Sequence, residues 1–451
     1  MGLKDPNEER RREHRELYAE LSESPLDIDE VFHAVLDSIR YDYVGFSAKR
    51  KYFTPAIYNT NMLSNYRNGT LTMEIMVRNL HQFVGDMHDR HMHFYCDNWV
   101  DYKNLAMKYR VRATEDCLYV TSAEEETGLV PGDKILDVQH MTPAHVRYYM
   151  RNNAFNSSEP ERELWGGYLR MAKDLLVEHA DGTQERMDME LYPAEELDPA
   201  VEYPIGFKML DDDTAYLQLQ RMDSEVMASI MQEHEAEIAG SKKLILDLRR
   251  NVGGDEGACF DLFPYLVDKE TALSYLVNDE GSYVYFTKDN CERRYNSLDT
   301  FKSTLTDPEL ISIVEDEMKV WSDNYDKGMV FQEPEPFDDV AIKPADQAPE
   351  KVLILTDTFC EDEGEQFVAM AQRCGDKVVT IGRPTMGTLD YYDNINLVIN
   401  EHMTFSYPIR MSKAAYEGRG ISEKGLPVDE YIAWTPEEIQ EDLLLKRAME
   451  Y

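Results

Sequence analysis

The stretch "LILTDTFCEDEGEQF" sets Cys360, Asp362 and Glu365 close together where an apolar run passes through a turn into a helix start. Hydrolases place nucleophiles in this layout. Cys360 offers a thiol for attack on a carbonyl, and Asp362 a carboxylate suited to alkyl carbons or phosphoryl groups. The spacing of Asp362 and Glu365 equally fits a capping box, with Asp362 as the N-cap acceptor and Glu365 at the third position. A second stretch, "GDMHDRHMHF", gathers His88, His91 and His93 beside Asp86 and Asp89. One histidine held in its tautomer by a carboxylate makes a general base, and several together make a metal site of a metal-dependent hydrolase. The alternation of His91 and His93 also suits an ordinary strand, which leaves His88 and His93 structural. In a third stretch, "NVGGDEG", Gly253 and Gly254 leave their amides unobstructed after a buried strand. A developing oxyanion needs such donors, and a plain turn with positive φ needs the same residues.

Two copies of one local pattern must hold these groups. "KKLILDLRRNVGGDEGACFDLFPYLV" reads as strand, glycine turn and helix, and "KVLILTDTFCEDEGEQFVAMAQRCGDKVVTIG" as strand, turn, helix and strand. Such units predict a mixed sheet with parallel strands and right-handed crossovers. Ligands of these sheets bind outside the carboxyl ends of the strands, which points to residues 250–256 and 358–363. Upstream, "EERRREHRELYAEL" predicts an exposed charged helix, and "DIDEVFHAVLDSI" and "MEIMVRNLHQFVGDM" repeat apolar residues at helical spacing. Between residues 109 and 191, strand-like pieces around the turn-rich "ETGLVPGDKI" predict a small β-rich module. The predicted organisation is a helical N-terminal domain over residues 1–104, a β-rich module over 105–195 and an α/β domain over 196–451.

Together these motifs resemble the S41 peptidases, the family of C-terminal processing and tricorn-core-like enzymes. "LILDLRRNVGG" resembles the family's strand and glycine turn, which implies that Gly253 and Gly254 supply oxyanion amides. "ETGLVPGDKILDVQHMTPAHV" resembles the PDZ-like module carried ahead of the catalytic core. "FVGDMHDRHMHF" is similar to the segment that holds the general base of the tricorn-like branch, matching Asp89 and His91. "IGRPTMGTLDYY" resembles the family's "G-x-x-T-x-G" turn. "YEGRGISEKGLPVDEYI" resembles "E-G-x-G-I-x-P-D", with Glu417 as the supporting glutamate, but only after extra residues are allowed before Pro427.

The resemblance breaks at one residue. Laid without gaps over "LTDTFCEDEGEQF", the family pattern puts Asp362 where its nucleophilic serine stands, and "TMGTL" has no lysine for the alternative serine–lysine mechanism. Making Cys360 the nucleophile requires two inserted residues. The resemblance thus implies an α/β, crotonase-like mixed-sheet core with a PDZ-like module. It implies a non-peptidase homologue that binds peptide segments or protein C-termini by strand addition. The alternatives are an active hydrolase using Cys360 or Asp362 with His91, and a metal-dependent hydrolase at His88, His91 and His93. No cofactor is expected. Asp362 is expected to hydrogen-bond the oxyanion donors and pair with His91, with its pKa depressed.

Composition narrows the partners. Lys and Arg number 47 against 87 Asp and Glu, a net charge of −40 that disfavours nucleic acid and anionic membranes. Six scattered cysteines without a C-x-x-C pair fit a reducing compartment. The first residues are charged where a signal peptide would be apolar, so the expectation is a cytoplasmic protein, or an exported one whose leader has been removed.

Overall fold

The structure is a computed structural model that describes residues 28–96, 105–149, 159–170, 172–193, 203–334, 340–400 and 402–451. The charged helix expected over "EERRREHRELYAEL" lies outside the described residues. Helices α1 (Ile28–Asp37), α2 (Pro55–Arg67) and α3 (Met73–Gly85) precede strand β1 (His93–Cys96). An antiparallel sheet follows, made in order of β2 (Tyr109–Ala113), β3 (Leu118–Ala123), β4 (Lys134–Val138), β5 (Asp174–Glu178) and β6 (Gln184–Asp188). Helices α4 (Pro143–Tyr149) and α5 (Trp165–Arg170) are inserted between β4 and β5.

The rest of the chain builds two sheets. The first takes β7 (Ile205–Asp211), β8 (Thr214–Leu219), helix α6 (Ser224–Gly240) and β9 (Lys243–Asp247). The second opens with β10 (Ser282–Phe286), helices α7 (Lys288–Lys302) and α8 (Pro308–Asp323), and β11 (Gly328–Gln332). The chain then returns to the first sheet with β12 (Lys351–Thr356), α9 (Asp362–Ala371) and β13 (Val378–Gly382). The second sheet gains β14 (Tyr391–Val398) and β15 (Met403–Ser412), and β16 (Glu430–Tyr431) and α10 (Leu443–Met449) finish the first.

In the first sheet the order is β16-β13-β12-β9-β8-β7, parallel throughout except for β7, which runs antiparallel to β8. Alternation explains the unbroken apolar runs of β9 and β12. Leu244, Leu246, Val352 and Ile354 enter a core shared with Met227 of α6 and Val368 of α9, while Ile245, Leu353 and Leu355 enter another closed by Leu444 and Ala448 of α10. A strand that is apolar on both faces is stable only between two covering layers. This is the α/β fold the two strand-turn-helix units predict.

The second sheet is antiparallel, β1-β15-β10-β11, with β14 also on β15. His93 of β1 stands opposite Ser406 of β15, so the histidine segment is anchored by strands far along the chain. Phe32, Val77 and Phe94 share one core with Phe286, Trp321 and Phe405. The helical domain expected over residues 1–104 therefore shares its core with part of the domain expected over 196–451, because helical periodicity reports which face is apolar and not what covers it. By contrast, β2–β6 and α5 close a core of their own around Leu118, Ile135, Trp165 and Leu169. Among the described residues, no helix is long and apolar enough to cross a membrane.

Candidate active site

Four segments meet at the carboxyl ends of the parallel strands: the turn after β9, the turn between β12 and α9, the turn after β13, and residues 86–93 ahead of β1. Asn251 joins the first two. It is fully buried, its Oδ1 accepts the Gly253 N–H at 2.9 Å, its Nδ2 donates to the Leu219 carbonyl at 2.7 Å, and its own carbonyl accepts the Glu361 N–H at 2.9 Å. Gly254, at φ 135°, leaves no room for a Cβ, which would overlap the Met222 carbonyl oxygen. A Cβ on Gly253 would overlap the Asp362 carboxylate. Gly253 thus serves as room for Asp362, and its amide, expected as an oxyanion donor, is already held by Asn251. Among the described residues the Gly254 N–H meets no acceptor, so of the two expected donors only that of Gly254 is open.

Asp362 is the first residue of α9 and has φ 55°, a left-handed conformation that is uncommon for a non-glycine residue and typical of strained functional turns. Its N–H donates to Thr388 Oγ1 at 2.9 Å. The expected capping box does not form. Glu361 is the N-cap, and Glu365 turns inward, where its fully buried carboxylate accepts from the Gly387 N–H at 2.8 Å, the Thr388 N–H at 2.6 Å and the hydroxyls of Thr385 and Thr388. Fixed donors of a glycine turn satisfy a buried carboxylate more completely than the fraying start of a helix.

The expected depression of the Asp362 pKa is also overturned. Desolvation pushes this carboxyl up, with the charge of Glu361 acting the same way; His91 and the Glu363 N–H, which donates to it, oppose this only in part. The side chain is nevertheless open to solvent at the mouth of the cleft. Solvent screens an exposed carboxylate, so this group tunes stability only weakly.

His91 approaches from the other side. Arg90 and Glu361, the neighbours of His91 and Asp362 in sequence, form a forked ion pair at 2.9–3.1 Å. The His91 N–H donates to Asp89 Oδ1 at 2.9 Å, its Nδ1 lies 4.0 Å from the same oxygen, and its carbonyl accepts from Asn394 Nδ2 at 2.6 Å. Tyr43 in turn donates to the buried Asp89. No hydrogen bond joins His91 to Asp362; the histidine acts on it through its charge.

Three expectations are corrected by placement. Cys360 is fully buried in the apolar core beside α9, and burial drives its thiol well above the ordinary range, away from the reactive thiolate form. Glu417 lies at the surface in an ion pair with Arg419 at 2.8 Å, and Arg419 also binds Glu280. The three histidines part company: the His88 ring stacks on Tyr52 with centroids 3.9 Å apart, His91 faces Asp89, and His93 sits in β1 beside Tyr95. Among the described residues, no three His, Cys, Asp or Glu side chains are grouped to hold a metal.

The carboxylate that does reach the histidine segment is Glu423. It takes Lys49 Nζ at 2.7 Å and the Tyr52 hydroxyl, and lies 4.0 Å from His88 Nδ1. Burial acts to raise its pKa, but Lys49, Tyr52 and His88 outweigh it and hold Glu423 low. Its sequence signal was the group of extra residues before Pro427 that loosened the motif match. Lys49 also donates to the His88 carbonyl and to Ser422 Oγ, both at 2.7 Å. An ammonium whose three protons are all donated has no lone pair for a serine proton, so Lys49 is a clamp and not a base.

Residues 213–432 match the model of peptidase family S41. Over these residues the chain is a homologue of the S41 peptidases. Among solved structures, mature CPAF complexed with lactacystin is similar with a TM-score of 0.59 at 13% identity, over 93% of this chain and 96% of that one. Mature CPAF alone gives 0.60 at 13% identity, over 93% and 95%. The photosystem II D1 C-terminal processing protease is a looser likeness, with a TM-score of 0.41 at 11% identity over 91% and 94%. At such identities the likeness to CPAF shows the fold alone. No curated protein matches the sequence. The S41 match takes in Gly253, Gly254, Asp362 and Glu417 and leaves out His91.

Proposed function

We propose that this S41 homologue is a non-hydrolysing member that binds peptide segments or protein C-termini. The observation that carries the reading is Asp362: the strained turn at the carboxyl end of β12 presents a carboxylate where the family pattern has its serine. A carboxylate is a poor nucleophile toward amides and brings negative charge to the place where an oxyanion would form. It also lies against Gly253 and takes the Glu363 N–H. The burial of Cys360 supports the reading by removing the other candidate. Peptide binding draws support from the β2–β6 module, read as PDZ-like: among the described residues its outer strand β6 pairs on one side only, with β5, leaving a row of main-chain groups for an added strand.

The test combines a fluorophosphonate probe and casein cleavage with an array of peptides bearing free and amidated C-termini. The expected result is no labelling and no cleavage, with retention of a subset of peptides. Labelling mapped to any serine, or sustained casein turnover, refutes the non-hydrolysing reading, and absence of retention across the array refutes the peptide-binding one.

A further inference from the structure

A second concavity opens at the carboxyl ends of the same parallel strands, toward the β2–β6 module. Its volume is about 580 Å³, inside the ~300–1,000 Å³ range of small-molecule sites. Arg112 of β2 and Thr121 of β3 form one wall; Lys208, Tyr216, Arg249, Arg383 and Trp434 contribute to the other. Neither Asp362, His91, Gly253, Gly254 nor Glu417 lines it.

Five cationic side chains, Arg112, Lys208, Arg249, Arg250 and Arg383, gather here in a chain of net charge −40. The carboxylates among the lining residues are occupied: Asp357 by Arg112, Asp247 and Asp442 by Arg249, and Glu438 by Arg383. Lys208 pairs with no carboxylate among the described residues, and its ammonium lies 5.0 Å over the Tyr216 ring. Arg383 is 1% exposed, yet its Nε has no hydrogen-bond acceptor, and the Glu161 carboxylate stands off at 3.7 Å. Burial, reinforced by the like charge of Arg112, lowers this guanidinium to about 10. A buried donor without a hydrogen-bond acceptor, beside an ammonium that no carboxylate pairs among the described residues, is a setting that an oxyanion completes.

We propose that this cavity binds a small organic oxyanion, a phosphate or carboxylate on a flat ring, with the anion between Arg112, Arg383 and Lys208 and the ring against Trp434. Such a ligand bridges the β2–β6 module and the central sheet, because Arg112 belongs to one and Arg383 to the other.

The test is calorimetric titration of the full chain at low salt with phenyl phosphate and benzoate, and with benzyl alcohol as the uncharged control. At least one anion should bind with Kd below about 1 mM, roughly tenfold or more tighter than benzyl alcohol, and binding should weaken as salt rises. A side chain at Gly206, which lines the cavity, meets nothing within 4 Å at its Cβ. Gly206→Glu therefore adds a repelling carboxylate without a clash at that atom, and Gly206→Ala is the silent control. Gly206→Glu and Lys208→Glu should each weaken anion binding about tenfold, while Gly206→Ala leaves it unchanged. Binding of phenyl phosphate alone identifies a phosphate ester, and of benzoate alone a carboxylate. Binding of neither anion, or binding that survives both charge substitutions, overturns the proposal.

Discussion

Removing the Asn251 side chain should loosen the turn after β9 from the end of β8, and the cost follows from its bonds. The side chain satisfies one buried donor, the Gly253 N–H, and one buried acceptor, the Leu219 carbonyl. In Asn251→Ala both are left unpaired, at about 1–3 kcal/mol each. The void left by the carboxamide adds to this, so a loss of roughly 3–5 kcal/mol is expected. Denaturant unfolding measures it, with an unchanged m value showing that the loss is one of stability. A cost below about 1 kcal/mol would refute the assignment, since one unsatisfied buried group alone should exceed it. Asn251→Asp adds a sign. Its second oxygen would face the Leu219 carbonyl, where only a protonated carboxyl can donate. Burial and that carbonyl raise the folded pKa of the new group above its unfolded value, so the native state holds the proton more tightly. Its contribution is then present below the unfolded pKa and lost as pH rises through the folded one. Asn251→Asp should therefore approach the parent in acid and fall away toward neutrality. A variant that tracks Asn251→Ala at every pH would show that the carboxamide is not bonded as described.

Three further outcomes are expected. The raised pKa of Asp362 means that its stabilising contribution is present below the ordinary carboxylate range and lost as pH climbs through the folded value. Asp362→Asn should therefore melt no lower than the parent at pH 7, with any gap closing in acid; a lower melting temperature at pH 7 contradicts this. Gly254→Ala must force a Cβ into the Met222 carbonyl at φ 135° and should cost more than about 2 kcal/mol by denaturant unfolding, and a near-neutral effect would show the turn to be adaptable. Cys360 should react with a thiol reagent only at the rate of unfolding, so rapid modification of the native protein would contradict its burial.

The sheet was legible because its signal is local. The runs "LILDL" and "VLILT" are apolar on both faces, and only a covered parallel strand accommodates that. The turn after each strand was legible for the same reason, since glycine and acid stand where the chain must reverse. What sequence spacing does not report is direction. Asp362 and Glu365 have capping-box spacing, yet α9 begins one residue earlier and its first turn rotates Glu365 into the core, where three residues of the 385–388 turn supply its donors. Gly253 was read as an amide donor because its flanking pattern leaves the N–H free, but Asn251, two residues before it, reaches that N–H first. Glu417 and Glu423 differ by six positions in a loop without periodicity. Only the buried Lys49 from the far N-terminal side decides which of them is drawn inward.

The charges around Asp362 set the field of the cleft. Glu363 beside Asp362 is raised by burial, by the charge of Asp362 and by that of Glu256 from the glycine turn. Glu361, although paired with Arg90, still acts on Asp362 with like charge, and His91 acts on it with the opposite sign. A tetrahedral intermediate at this place would bring negative charge among negative charges, with one open glycine amide to receive it. The same field favours a ligand that arrives with positive charge or with hydrogen-bond donors, such as the main-chain amides of an extended segment. At the carboxyl ends of one sheet, the molecule thus sets an acidic cleft beside an arginine-lined cavity. Whatever spans the two must present donors to the first and an oxyanion to the second, a polarity that a hydrolytic site built around a serine does not require.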